Sequence, residues 1–349
     1  MRPIPAAPDA VVDAARRRSD ARAARDWGTA DELRAEIEAA GWRVVDTGTA
    51  FRLEPAHPPD EEVEGEVRYG RSDAVPSRLD QPATGLATVV LALDAGDPAT
   101  IDAVTAAARS LPDGVDLVIV GDAIGDATAQ GVATALEASP LGPDQFEVVR
   151  TSAQLGRAAA LNAGIRRARG GVVVLMDSSI QPTGDVVTPL VAVLADPSVA
   201  VAGPFGLTTA DLRRFEEVVP MGAAPVDVTA VQGYLLAFRR ADAVERGPLD
   251  EAFRFYRNLD IWWNLVLRDL GDEASPRRAL AVPDLPLVRG EPFAWTRTPV
   301  SERDRLSKRN FYRVLDRFRT RLDLAVPGGA SGGGSRRQRG SRREVGSRR

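Results

Sequence analysis

The period of the apolar positions changes several times along the chain. Over residues 10–40, AVVDAARRRSDARAARDWGTADELRAEIEAA, Leu33, Ile37 and Ala40 recur at three- and four-residue spacing, which predicts an amphipathic helix. Gly28-Thr29 divides the stretch into two helices, with Thr29 expected to cap the second and Glu32 to complete a capping box. Gly41 stops the helix, and WRVVDTGTAFRLEP then reads as a β-hairpin turning over residues 46–49. Residues 55–85 have little period and are rich in Pro, Glu and Asp, the pattern of a linker.

From Leu86 short apolar runs alternate with helical spacing. TVVLALD, DLVIVGD, FEVVRT and GVVVLMD are predicted strands; TIDAVTAAARSL, TAQGVATALEAS and GRAAALNAGIRRAR are the helices between them. This βαβαβαβ order, with strands hydrophobic throughout, predicts an α/β domain with a mostly parallel sheet covered on both faces. Such sheets bind ligands beyond the C-terminal ends of their strands, where Asp94, Asp122 and Asp177 fall. Three acids converging there need a cation or hydrogen-bond donors to offset their repulsion. G-x-G-x-x-G is absent after the first strand, which argues against a nicotinamide-type dinucleotide site.

Composition narrows the chemistry. With 44% hydrophobic and 27% charged residues, the 349-residue chain can build a sizeable core. It has no cysteine, which removes disulfides, thiolate metal sites and a cysteine nucleophile. The single histidine, His57, lies in a Pro-rich stretch, so neither a Ser-His-Asp triad nor a histidine-rich metal site is expected. The start has no apolar signal-like region and the apolar runs are too short to span a bilayer, so the expected location is cytoplasmic.

Two resemblances follow from the residues. ARAARDWGTADELRAEIEAAGWRVVDT resembles the C-terminal helical module of cysteinyl-tRNA synthetases over about 45 residues; in those enzymes the module helps to contact tRNA, and their catalytic region has no counterpart here. A packing or dimerisation module is the other reading of this segment. The second resemblance covers roughly 230 residues. VVLALDAGDPATIDAV, VIVGDAIGDATAQ, QLGRAAALNAGIRRARGGVVVLMDSSIQPTGD, VQGYLLAFRR and LDEAFRFYRNLDIWWNLVLRDLG run in the order of family-2 glycosyltransferases. The resemblance implies a GT-A fold: a Rossmann-like nucleotide half followed by an acceptor half on a mixed sheet.

It also implies a chemistry. Transfer from a nucleotide-sugar donor needs its diphosphate leaving group neutralised, usually by Mg²⁺ or Mn²⁺ held by oxygen ligands. An inverting transfer further needs a carboxylate base for the acceptor hydroxyl. By resemblance, Asp122 or the neighbouring Gly121 contacts the nucleotide base, and Asn162 and Arg166 lie on the helix lining that pocket. Together with Asp94 and Asp177 they form the candidate nucleotide-binding set. Asp177 aligns with the first acid of the family's Asp-x-Asp metal motif, but Ser179 replaces the second, so metal affinity should be weak. The family's Glu-Asp-x-Asp base motif reads Arg257-Asn258-Leu259-Asp260 here. Asn258 stands at the usual base position and cannot take a proton. Asp260, two residues later, is the candidate catalytic base if the local helix start is shifted, the other reading being a cap of the helix that buries Trp262 and Leu265. LVRGEPFAW lacks the downstream histidine of many relatives.

Near the end, SERDRLSKRNFYRVLDRFRTRL places Leu306, Phe311, Leu315, Phe318 and Leu322 at helical spacing between arginines. Such a helix either packs on its own domain or lies on a membrane surface near a lipid-linked acceptor. The net charge is −4, yet SRRQRGSRREVGSRR carries seven arginines against one glutamate. That tail is expected to be disordered and suited to anionic surfaces. The expected organisation is a helix–hairpin module (1–54), a linker (55–85), a GT-A domain (86–325) and a basic tail (326–349). The functional expectation is sugar transfer from a nucleotide-sugar donor to a saccharide or lipid-linked acceptor; the alternative is a degenerate scaffold that binds a nucleotide sugar or a protein partner without turnover.

Overall fold

The computed structural model describes residues 7–328 apart from residues 48, 49, 219, 221, 272 and 273. Two helices, α1 (Asp9–Ala23) and α2 (Trp27–Ala39), pack on the hairpin β1 (Trp42–Thr47) and β2 (Ala50–Pro55). Val11, Ala14, Ala15, Leu33, Ile37 and Trp42 form a small core of their own. Arg18 holds Asp46 with Nη1 and Nη2, at 3.0 and 3.2 Å, and so ties α1 to the hairpin. The hairpin register runs from Trp42↔Pro55 to Thr47↔Ala50, so the turn falls at residues 48 and 49, outside the described residues. The cap of α2 differs from expectation. Its helix starts before Gly28, so Asp26 is the residue beside the free first-turn amides; it accepts from the Thr29 amide at 3.2 Å and hydroxyl at 2.8 Å. Gly41 follows the helix at φ 79°, the left-handed exit that glycine takes without a Cβ clash.

Residues 55–85 are not a free linker, contrary to the sequence reading. They supply β3 (Glu61–Val63) and β4 (Glu66–Tyr69), which add an edge to the main sheet. Val75 then enters the main core at 1% exposure, the Arg78 amide donates to the Arg166 carbonyl at 2.7 Å, and Arg240 Nη2 donates to the Gln81 carbonyl at 2.9 Å. The composition conceals this because an edge strand is held by ladder bonds and ion pairs more than by apolar burial. Arg150 pairs with Glu66 at 2.9 Å and Arg68 with Asp126 at 2.6 Å.

The alternating region folds as expected: β5 (Gly85–Asp94), α3 (Thr100–Ser110), β6 (Val115–Asp122), α4 (Asp126–Glu137), β7 (Phe146–Thr151), α5 (Arg157–Arg167) and β8 (Gly170–Asp177). After it come β9 (Ile180–Pro182), α6 (Val187–Leu194), β10 (Val199–Gly203), β11 (Gly206–Thr208), β12 (Glu216–Val218), β13 (Val226–Val228), β14 (Ala230–Val231), β15 (Leu235–Arg239) and α7 (Arg240–Arg246). The chain continues through α8 (Leu259–Arg268), β16 (Arg278–Ala281), β17 (Leu287–Arg289), α9 (Phe293–Arg297) and α10 (Val300–Phe318). One ten-stranded sheet in the order β13-β16-β10-β15-β8-β5-β6-β7-β4-β3 runs through the domain. Neighbours from β8 to β4 are parallel, while β15 runs antiparallel to both β8 and β10 and makes the sheet mixed.

Both faces are covered, as the continuous apolar strands require. α5 lies close on β5 and β6 because Gly164 faces them; an added Cβ would come within 2.3 Å of Val90 Cγ1. α8 is buried along its whole length, with Trp263 edge-on to Phe238 at 5.6 Å. α10 docks on α8 through Asn310, Val314 and Phe318, with Leu306, Phe311 and Leu315 half-buried and Leu322 exposed. Its apolar stripe is therefore used within the domain. No helix among the described residues is long and apolar enough to cross a membrane. The expected tail begins slightly later than residue 326: the Val326 carbonyl accepts from the Thr209 amide at 3.0 Å and its amide donates to Thr229 Oγ1 at 2.9 Å. The arginine-rich stretch lies outside the described residues.

Candidate functional site

The ladder sets the three acids on one edge. Asp94 is directly opposite Asp122, and Asp177 is level with Ala92 on the other side of β5. Their environments differ sharply. Asp122 is buried and its carboxylate is already occupied: Oδ1 accepts from the Leu155 amide at 2.8 Å and Thr151 Oγ1 at 3.0 Å, and Oδ2 from the Gly156 amide at 3.0 Å. Burial pushes its pKa up, with those donors acting against the rise. Asp122 thus fastens the loop that enters α5. Gly156 takes φ 98° there, and a Cβ on it would meet Arg254 Cα at 2.9 Å.

Asp94 carries no such set of bonds. Burial raises its pKa first of all, and Arg157 pulls the other way. A carboxyl raised in the fold stabilises the protein fully below its unfolded pKa, about 3.9, and loses that contribution as pH climbs through the folded value. Asp94→Asn should therefore raise the melting temperature at pH 7 by a degree or more, with the gain disappearing near pH 3. Thermal melts of both proteins across pH 3–8 check this, and equal melting at pH 7 would contradict it.

Asp177, only 9% exposed, has both oxygens engaged. Its Oδ2 pairs with Arg157 Nη2 at 3.0 Å, and its Oδ1 accepts from the Ser179 hydroxyl at 2.6 Å and amide at 3.0 Å. Arg157 is itself buried and reaches the Ala92 carbonyl with Nη1 at 3.3 Å. The neighbouring Ser178 hydroxyl donates to Asp97 at 2.6 Å. These residues do not make a dication site. The one aligned carboxylate is neutralised by a guanidinium, and the serine hydroxyl points its proton at that carboxylate. Among the described residues no group of three or more His, Cys, Asp or Glu side chains is placed to hold an ion. The metal ligation expected of Asp177 therefore meets a carboxylate already paired within the chain.

Asp177 borders two openings. A pocket of about 100 Å³ is lined by Asp94, Arg157, Asp177, Arg254, Phe293 and Arg297. A larger cavity of about 620 Å³ joins Asp177 to Tyr234, Tyr256, Asn258 and Asp260. Asp260 lies in the first turn of α8, where its Oδ2 accepts from the Gly233 amide and its Oδ1 from the Ile261 amide, both at 2.9 Å. Burial raises its pKa above the ordinary carboxylate range despite those donors. Asn258 caps the same helix at φ 67°, a left-handed conformation that asparagine tolerates better than most residues, and its amide donates to the Ser307 carbonyl at 2.9 Å. It serves as a joint between α8 and α10.

Asn162 and Arg166 are not brought to this edge. Asn162 donates to the Leu249 carbonyl at 2.9 Å and Glu251 Oε1 at 3.0 Å, and Arg166 Nε donates to the Val75 carbonyl at 2.7 Å. Both line another cavity of about 840 Å³, which meets the strand-edge pocket at Gln154 and Arg254, since residues five and nine positions after Arg157 on α5 turn away from the strand ends. Sequence reasoning missed Arg157, Arg254 and Arg297. With 44 arginines in the chain, no single one stands out, and only position in the fold separates them from surface charges.

Residues 95–222 match the family model for glycosyl transferase family 2. That span contains Asp122, Arg157 and Asp177 and ends before Asn258 and Asp260. No curated protein sequence matches the chain. Among solved structures, GalNAc-T7 with UDP, GalNAc and Mn²⁺ is similar with a TM-score of 0.54 at 15% identity, covering 66% of this chain and 48% of that one. The mannosyltransferase PcManGT from Pyrobaculum calidifontis, in complex with GDP-Man and Mn²⁺, is similar with a TM-score of 0.50 at 19% identity, covering 72% of this chain and 71% of that one. The chain thus spans about half the length of the first of these. The fold is GT-A, an α/β domain on a large mixed sheet, here preceded by a helix–hairpin module.

Proposed function

We propose that the protein transfers a sugar from a nucleotide-sugar donor to a saccharide or lipid-linked acceptor. The observation that supports this most is that Asp177, at the end of β8, and Asp260, at the start of α8, face one cavity from opposite halves of the domain. The strand-edge pocket would take the donor's diphosphate and the larger cavity the two sugars. In the transfer, the acceptor oxygen bonds to the anomeric carbon as that carbon's bond to the phosphate oxygen breaks. Asp260 takes the acceptor's proton and the nucleoside diphosphate leaves. A carboxyl with a raised pKa is a stronger base than an exposed one, which suits this role.

One observation favours a second reading, a scaffold that binds without turnover: Ser179 and Asn258 both stand where the family has acids. A thermal-shift series with uridine, guanosine, adenosine and cytidine nucleotide sugars decides first whether any donor binds. A ligand at a hundred times its Kd adds about 2.7 kcal/mol of stability. Release of nucleoside diphosphate in the presence of saccharide or lipid-linked saccharide acceptors then separates the two readings. No shift with any donor would remove the transferase reading and leave a scaffold for a protein partner.

A further inference from the structure

The pairing at Asp177 carries one inference further, and it rests on the nucleotide-sugar reading above. An anion arriving at this edge needs positive charge, and the usual sources are absent or occupied. The amides at the start of α5 are occupied: those of Leu155 and Gly156 go to Asp122, and those of Arg157 and Ala158 to the Arg254 and Phe253 carbonyls at 2.9 and 3.3 Å. A divalent ion would have to displace Arg157 from Asp177, a charged pair in a largely buried setting where removing one partner is costly. What the strand-edge pocket offers instead is three guanidiniums, Arg157, Arg254 and Arg297, against the carboxylates of Asp94 and Asp177. Arg254 and Arg297 are exposed, steadied by one bond each, from Arg254 to the Gln154 carbonyl at 3.0 Å and from Arg297 to the Ala95 carbonyl at 3.1 Å. Each keeps further donors free in direction for phosphate oxygens, which guanidinium forks fit well.

We propose that Arg157 stands in the place of the divalent cation by neutralising Asp177, and that Arg254 and Arg297 bind the donor's diphosphate, so that donor binding is independent of metal. Arg157 is then a positioning residue, and the two exposed arginines are the diphosphate ligands.

Calorimetry of the full chain with UDP, GDP, ADP and CDP, each in EDTA and again in Mn²⁺, tests this. At least one nucleotide should bind in EDTA with a Kd within about threefold of its value in Mn²⁺. The Arg254→Ala/Arg297→Ala double variant, altered only at exposed side chains, should weaken that binding tenfold or more. Arg157→Lys should keep binding in EDTA, whereas Arg157→Ala should lose it and regain part of it in Mn²⁺, because Asp177 is then free to take the ion. Circular dichroism checks that each variant is folded; if Arg157→Ala is not, the double variant decides. Binding by the wild type in Mn²⁺ alone, or an unchanged double variant, would overturn the proposal and leave the nucleotide reading standing. Binding of no nucleotide under either condition would end both.

Discussion

If Asp260 is the base proposed above, Asp260→Asn should lower sugar transfer by ~10²–10⁴-fold, the range for loss of a positioned general base, while nucleotide binding stays within a factor of two. Two features of the geometry set this expectation. Asp260 lines the larger cavity and not the adjoining pocket that holds Asp94, Arg254 and Arg297, so a diphosphate bound in that pocket as proposed would not touch it. Its amide replacement can still accept one of the two backbone bonds from Gly233 and Ile261, so the start of α8 loses at most one hydrogen bond, ~1–3 kcal/mol. Relief from burying a charge acts in the opposite direction. The pH profile is a sharper readout. A base must be ionised, and burial raises the pKa of Asp260. Turnover in the wild type should therefore rise with pH through a midpoint above the usual carboxylate range and level off beyond it. A residual Asp260→Asn activity should lack that rise. An unchanged kcat in the variant, or a profile flat from pH 4 to 8, would show that another group takes the proton.

The second large effect concerns the N-terminal quarter. A chain beginning at Leu86 should fail to fold stably, whereas one beginning at Ala56 should melt close to the full-length protein. The shorter truncation removes a module with its own core. The longer one strips β3 and β4 from the sheet edge, opens the site of Val75 and leaves Arg166 and Arg240 without the carbonyls of Val75 and Gln81. Burial of one aliphatic side chain is worth ~1.5–3 kcal/mol, and each lost bond to a charged group ~1.5–3 kcal/mol. Together these approach the 5–15 kcal/mol or so that holds a typical domain. Soluble yield and thermal melts of the two truncations test this, and equal melting temperatures would mean that residues 56–85 are dispensable to the sheet.

Most of the fold is legible in the chain because its strands are apolar on both faces and its helices keep a regular period. TVVLALD, DLVIVGD and GVVVLMD are strands over the residues that their composition marks, and each ends in the acid that closes the run. The order of these pieces also carries the GT-A resemblance, which the structure bears out. Where pattern carries no information, only tertiary contact decides. EVRY and its neighbours lack a buried run, yet they pair because β7 offers a free edge and Arg150 a charge for Glu66. Sequence names Asp94, Asp122, Asp177 and Asp260 but not their states: loop amides claim Asp122, Arg157 claims Asp177, and Asp260 is left facing a cavity. Asn162 and Arg166 share a helix with Arg157, and the turn of that helix sends them to another face. The sequence by itself determined which segments become strands and helices and where the acids fall, since period and burial are local properties. Which acid is spent on structure, and which arginine stands against it, depends on residues far apart in the chain meeting at one sheet edge, and that only the packed fold decides.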